Sequence, residues 1–184
     1  MSEYISDEEQ MNRFSEWWNE HGTSLLIAVG LAITTIVGWN FYSDNRQQNI
    51  EASTALYAEY VDAAAEAKAA IAQQIKTEFP GTSVHTLVAL DAAKKAAADA
   101  NLAAATQALV EARDAAPDAL LAELAMIRLA KVQYAQGNAE EALQTLQGIR
   151  NQGYQSWALE LTGDIYLAEG NSEQAYAAYT SALD

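Results

Sequence analysis

The longest apolar stretch of the chain lies near its N-terminus, where residues 24–42 carry no charge and no proline. An α-helix of about 19 residues rises roughly 28 Å, close to the ~30 Å hydrocarbon thickness of a bilayer. Aromatic side chains, which favour the headgroup level of a membrane, stand at both ends of the stretch: Trp17 and Trp18 before it, and Trp39, Phe41 and Tyr42 at its end. The pattern predicts one membrane-spanning helix over residues 23–43, between an N-terminal stub of residues 1–22 and a domain of residues 44–184.

Two other interpretations of this stretch are a buried core helix and a cleavable signal peptide. A signal peptide needs a basic segment ahead of its apolar run and a small-x-small cleavage site after it. Arg13 is the one Lys or Arg before the run, and no such site follows Trp39. We therefore interpret the stretch as an uncleaved anchor, with the buried core helix as the alternative.

The stub ahead of the span has a helical pattern of its own. Ser6 and Glu9 have the spacing of a capping box. Apolar side chains then recur every three or four residues, at Met11, Phe14, Trp17 and Trp18. This pattern predicts an amphipathic helix that lies at the membrane surface and ends near Gly22. Its apolar side either contacts a protein or only rests in the interface.

Small side chains recur at every fourth position of the span, at Gly30, Thr34 and Gly38. Such a stripe lets the backbone of a second helix approach closely. The same spacing also occurs in helices that face only lipid, so both interpretations stay open.

Beyond the span, the chain is rich in the strong helix formers Ala, Glu, Gln and Lys as far as Phe79. Nothing in residues 40–60 forbids a continuation of the membrane helix. Apolar side chains recur at roughly helical spacing, at Leu56, Tyr60, Ile71, Ile75 and Phe79.

Two later segments, residues 137–143 and 170–176, both begin with Gly-Asn and carry an alanine six positions into the segment. Their separation is close to the ~34-residue period of the tetratricopeptide repeat, which they resemble. A weaker copy occupies residues 100–106. Each copy predicts a helix, a tight turn and a second helix, in repeats over residues 122–150, 156–183 and, more weakly, 84–117. The predicted repeat turns and helix crossings are Gly137, Ala142, Gly163, Gly170 and Ala175.

The predicted fold class is therefore all-α: a single N-terminal transmembrane helix followed by a tetratricopeptide-like solenoid of helical hairpins. Stacked hairpins leave a concave surface lined mainly by the first helix of each pair, and its mixed side chains suit an extended polypeptide. Alignment to the repeat predicts the residues of this surface as Leu90, Lys94, Ile127, Lys131, Tyr134, Trp157, Glu160 and Asp164. For Tyr134 and Trp157 the alternative is packing against neighbouring helices.

Charge and motif content narrow the class of protein further. With 25 Asp and Glu against 10 Lys and Arg, the net charge is −15, which argues against nucleic acid as a partner. The two histidines, His21 and His85, are expected on opposite sides of the span, and no hydrolase, phosphate-loop or dinucleotide motif occurs. We expect no enzyme activity, no cofactor and no metal site. The chain has no cysteine, which says little about its compartment.

Several segments together resemble one known family. They are the stub residues 14–22 with their paired tryptophans, the end of the span at residues 37–42, and the stretches 52–57, 129–133 and 161–164. The chain is similar along nearly its whole length to the YfgM family of Gram-negative bacteria, the ancillary subunit of the SecYEG translocon. Members of that family continue roughly twenty residues past a position like Leu183, so we expect the final helix that would cap the last repeat to be missing here.

The resemblance implies a location, partners and a role. It implies a single-pass protein of the bacterial inner membrane, with its N-terminus in the cytoplasm and its repeats in the periplasm. The implied partners are SecYEG, the periplasmic chaperone PpiD and nascent or unfolded polypeptides, which the protein would help to reach periplasmic chaperones. The alternative is a membrane-anchored scaffold whose cytoplasmic stub restrains the Rcs envelope-stress response regulator.

Overall fold

A computed structural model describes residues 7–183, and every regular element in that range is an α-helix. The predicted all-α class is confirmed. The helices are α1 (Asp7–Asp62), α2 (Ala65–Glu78), α3 (Ser83–Ala98), α4 (Leu102–Asp114), α5 (Ala119–Ala135), α6 (Ala139–Gln147), α7 (Gln152–Ala168) and α8 (Ser172–Leu183). The chain divides into two compact units, Met1–Glu51 and Ala52–Asp184.

α1 begins in the first unit and ends at Asp62, within the second, and its stretch Ser15–Asp62 is long and apolar enough to cross a membrane. The side chains of its apolar window are exposed, as a lipid-facing segment requires and a core helix does not allow. This exposure favours the membrane anchor over the buried core helix. Ser6 of the predicted capping box and the side chain of Phe14 lie outside the described residues.

The stub helix does not end at Gly22, so that expectation is wrong. α1 passes through this glycine and on to Asp62 without a break. One glycine lowers the stability of a helix by only about 1 kcal/mol relative to alanine, and a helix can continue across it when the residues on both sides favour helix. A Cβ atom at Gly22 would lie 3.1 Å from the indole of Trp18, so the missing side chain makes room for that ring.

The second unit is built from three helical hairpins, α3–α4, α5–α6 and α7–α8, each of which packs on the next. α2 packs against α3 ahead of the first hairpin. Three clusters of buried side chains follow one another along this stack: one centred on Ile75 and Val88, one on Leu109 and Leu129, and one on Ile127 and Ile165. Alanines fill much of the second and third clusters, which allows the helices there to approach closely.

The three hairpin turns share one hydrogen-bond pattern. In each, an asparagine N–H donates to the carbonyl five residues earlier, as in a Schellman motif: Asn101 to Ala96 at 2.8 Å, Asn138 to Gln133 at 2.9 Å and Asn171 to Tyr166 at 2.8 Å. The residue before each asparagine has a positive φ, 85° at Gly137 and 84° at Gly170, but 56° at Ala100. The first turn therefore holds an alanine in the backbone conformation that favours glycine.

Small residues lie where the helices of a hairpin cross. Ala142 is fully buried and Ala175 is 2% exposed. A Cβ atom at Gly163 would come within 2.4 Å of the ring of Tyr179, so α7 and α8 meet at a distance that only glycine permits here.

Candidate polypeptide-binding surface

Lys131 and Trp157 come together on the first helices of two successive hairpins, α5 and α7. The Lys131 ammonium lies 5.0 Å from the centre of the Trp157 ring, within cation–π distance. The ring of Tyr154 lies 6.4 Å from the same indole. Trp157 and Tyr134 are half-buried against the core cluster around Ile127 and Ile165, so each packs on neighbouring helices and also presents part of its surface.

Ile127 does not belong to this surface, because it is fully buried in the core beneath α6 and α7. Alignment to the repeat predicted Ile127 for the surface together with Lys131, four positions further along α5. Positions four apart differ by about 40° around a helix, however, enough to separate a core position from an exposed neighbour. Leu90 is also nearly buried, at 4% exposed, but it lines a cleft that Lys94 shares.

One opening in the second unit, which we call the Tyr60 cleft, has a volume of about 550 Å³. Its charged and hydrogen-bonding lining residues are Tyr60, Lys68, Asp91, Lys94 and Lys95. The rest of its lining is alanine, from α2 and α3. The pattern of repeats could not have revealed this cleft, because α2 and the end of α1 precede the first repeat.

A second opening, the Arg128 cleft, has a volume of about 370 Å³ and is lined by residues of α3, α4 and α5. Leu90, Leu109 and Val132 make most of it apolar, and Lys94 and Arg128 supply its charges. Lys94 lines both openings.

Tyr60 organises one wall of the Tyr60 cleft. Its hydroxyl donates a hydrogen bond of 2.7 Å to Asp91, and the Lys68 ammonium lies 5.0 Å from the centre of its ring. Burial raises the pKa of Tyr60 well above its usual range, and the hydrogen bond to Asp91 and the charge of that carboxylate raise it further. Tyr60 therefore remains a protonated donor that holds the Asp91 carboxylate in place.

The two predicted acidic residues of α7 have different surroundings. Glu160 is exposed. Asp164 accepts a hydrogen bond of 2.8 Å from the hydroxyl of Tyr179 on α8, and this bond raises the pKa of Tyr179. Asp164 thus ties the two helices of the last hairpin together.

Basic side chains gather around these openings. Lys68, Lys94, Lys95 and Arg128 line the two clefts, and Lys131 follows Arg128 by three residues on α5. Elsewhere in the domain, Lys76 and Arg113 are paired with Glu111 and Asp114, each at 2.8 Å. The arrangement is suited to binding through charge and apolar contact. Among the side chains that the structure describes, no cluster of His, Cys, Asp and Glu could hold a metal ion.

Comparisons with known proteins agree with this architecture. The sequence pattern of the tetratricopeptide repeat-like domain family matches residues 15–184, and the chain belongs to that family. No solved structure matches the chain significantly.

Three curated proteins with the name "Ancillary SecYEG translocon subunit" are similar to the chain through almost its whole length. The protein from Haemophilus influenzae is 27% identical over 99% of this chain and 91% of its own length. The protein from Aggregatibacter actinomycetemcomitans is 29% identical over 100% of this chain and 92% of its own length. That from Escherichia coli is 24% identical over 100% and 90%. The resemblance recognised in the sequence is thereby confirmed.

Proposed function

We propose that this chain is an ancillary subunit of the SecYEG translocon, anchored in the bacterial inner membrane by α1 and binding polypeptides through its helical repeats. The observation that carries this proposal is that similarity to proteins of that name extends through the anchor and the repeats together. Full-length similarity at this level supports the same combination of membrane helix and repeat domain.

The orientation follows from the family resemblance. We place residues 1–22 in the cytoplasm, the span at residues 23–43 and the domain of residues 44–184 in the periplasm. The distribution of positive charge does not decide the orientation, because Arg13 precedes the span and Arg46 follows it. In this orientation the repeats meet polypeptides as they leave the channel and pass them to a PpiD-like periplasmic chaperone.

The binding surface that we propose runs along the first helices of the hairpins. Lys131 and Trp157 offer a cation and an aromatic ring in contact with each other, and Tyr134 adds a second ring on α5. Lys94 and Glu160 are exposed on α3 and α7 and supply both signs of charge. Aromatic and long polar side chains of this kind bind many extended sequences because they combine apolar area with adaptable polar contacts.

Docking to the channel is assigned to the small-residue stripe of α1. A Cβ atom added at Gly30 or Gly38 would meet no other atom within 4 Å, so larger side chains fit there without disturbing the protein's own fold. The hydroxyl of Thr34 donates to the carbonyl of Gly30, which satisfies this polar group within the helix. The stripe thus offers a smooth, closely approachable surface to another helix.

Affinity purification from gently solubilised native membranes tests this proposal. We expect SecYEG and a PpiD-like chaperone to copurify with the unaltered chain, and the double variant Gly30→Leu, Gly38→Leu to lose both. The matched control is Ala32→Leu, which enlarges a small residue of the span about 160° around the helix from Thr34. Loss of SecYEG with the control as well would contradict docking through the stripe.

The alternative function places the working surface in the stub, where Trp17 and Trp18 are exposed on α1. The same purification distinguishes it. Recovery of a cytoplasmic response regulator without SecYEG would favour the scaffold and contradict the translocon proposal.

A further inference from the structure

We propose that the Tyr60 cleft binds an acidic, partly apolar segment of a partner polypeptide. This inference rests on the proposed polypeptide-binding function and assigns to it a particular site and ligand chemistry.

Positive charge is concentrated at this cleft. Acidic residues outnumber basic ones by 25 to 10 in the chain, yet three lysines and a single acid are found among the described residues that line this cleft. In the described part of the chain, neither Lys94 nor Lys95 lies within ion-pair distance of a carboxylate. Uncompensated ammonium groups around one opening attract a ligand of opposite charge.

The single acid of the lining is held by a donor of the protein itself. The Asp91 carboxylate accepts the hydroxyl proton of Tyr60 at 2.7 Å, and Lys68 lies over the ring of the same tyrosine. This arrangement partly satisfies the acid and leaves the ammonium groups of Lys94 and Lys95 available to carboxylates from outside.

The lining between the lysines determines which kind of anion fits. Five alanines form it, Ala65, Ala69, Ala72, Ala92 and Ala98, so most of its surface is apolar and no bulky side chain fills it. Apolar side chains of a ligand would be buried there, whereas a small hydrophilic anion would gain nothing from it. A volume of about 550 Å³ accommodates several side chains.

The second cleft indicates that the ligand is extended. Lys94 lines both openings, and Arg128 continues the basic lining onto α5. A polypeptide whose carboxylates alternate with small apolar residues can follow this path, whereas a compact ligand would occupy one opening only.

Fluorescence anisotropy with the full-length chain in zwitterionic nanodiscs tests the inference. The probes are a short labelled peptide of Glu, Ala and Leu and the same peptide with Lys in place of Glu. We expect the acidic peptide to bind and the basic one not to. The double variant Lys94→Gln, Lys95→Gln should bind the acidic peptide about tenfold more weakly, since two partly exposed ion pairs are lost.

The matched control removes the same amount of positive charge elsewhere, with Arg113→Gln and Arg150→Gln. We expect it to bind the acidic peptide within about twofold of the unaltered chain, because both side chains lie outside the clefts. Equal weakening by both double variants would overturn the inference, since it would reduce the effect to net charge. Equal binding of the acidic and basic peptides would overturn it as well.

Failure of the inference is distinguishable from failure of the proposed function, because copurification with SecYEG is measured on the same variants. If SecYEG is recovered with the unaltered chain but the acidic peptide does not bind, this inference alone is wrong. If the peptide binds at the cleft but SecYEG is not recovered, the translocon proposal is wrong and the site stands.

Discussion

Lys131 on α5 holds its ammonium 5.0 Å from the centre of the Trp157 ring on α7, so that the first helices of two neighbouring hairpins are joined by a cation–π contact. The contact is exposed on the lysine side and half-buried on the tryptophan side. It therefore orients the indole while leaving part of it accessible to a ligand.

Replacing this lysine tests the contact. Lys131→Gln should lower the free energy of unfolding by about 0.5–1 kcal/mol, the usual worth of an exposed cation–π pair. Lys131→Arg, which keeps the charge, should stay close to the unaltered chain. Urea unfolding followed by tryptophan fluorescence measures both. A Lys131→Arg variant as unstable as Lys131→Gln would mean that the charge does not matter there.

The alanine in the first hairpin turn has an unfavourable backbone conformation, so its replacement can stabilise the protein. Ala100 has a φ of 56°, where glycine has no steric cost, so Ala100→Gly should raise the free energy of unfolding by up to about 1 kcal/mol. The reverse change at the equivalent turn, Gly137→Ala, should lower it by a similar amount. Thermal unfolding by circular dichroism measures both variants, and shifts of the same sign would refute the equivalence of the turns.

The close crossing of α7 and α8 predicts a strong local effect. Gly163→Ala would bring a Cβ atom within 2.4 Å of the Tyr179 ring, and we expect a loss of about 1–3 kcal/mol in the free energy of unfolding. In a Tyr179→Leu background the same substitution should cost less, because the ring is gone. A double-mutant cycle without coupling would show that the two residues do not limit the approach of the helices.

Acid should weaken the junction between α2, α3 and α4. Burial alone would raise the pKa of Glu111, but hydrogen bonds from Lys76 at 2.8 Å and with His85 at 3.0 Å, with the attraction of their charges, hold it below the usual value of 4.5. Since the folded-state pKa is the lower one, the carboxylate stabilises the fold above about pH 4.5, and this contribution is lost as the pH falls through the folded-state pKa.

Urea unfolding between neutral and acidic pH tests this linkage. The Glu111→Gln variant should be less stable than the unaltered chain at neutral pH and should lose less stability on acidification. Parallel pH profiles for the two proteins would contradict the role given to this carboxylate.

Local pattern explains how much of the fold was predictable from sequence. The uncharged run predicts a long apolar helix, and the two Gly-Asn turns predict helical hairpins. Both features are determined by residues close together in sequence. The prediction that a helix ends at Gly22 was wrong, because a single glycine is tolerated inside a helix when its neighbours favour helix.

The candidate surface was harder to predict, because it depends on distances between helices. Alignment to the repeat put Lys131 and Trp157 on the first helices of their hairpins. It could not distinguish these surface residues from Ile127, which lies in the core. Lys68 and Tyr60 were missed for a different reason. Both lie before the repeats in sequence. Lys68 reaches the cleft through the packing of α2 against α3, and Tyr60, near the end of α1, through its hydrogen bond to Asp91 on α3.

Site-specific photo-cross-linking in native membranes tests the central claim most directly. A photoreactive amino acid at Thr34 should give an adduct with a SecYEG subunit, and the same amino acid at Ala32 should not. This result would establish the chain as a subunit that docks through one face of α1. Adducts at Thr34 with other membrane proteins but none with SecYEG would contradict the account.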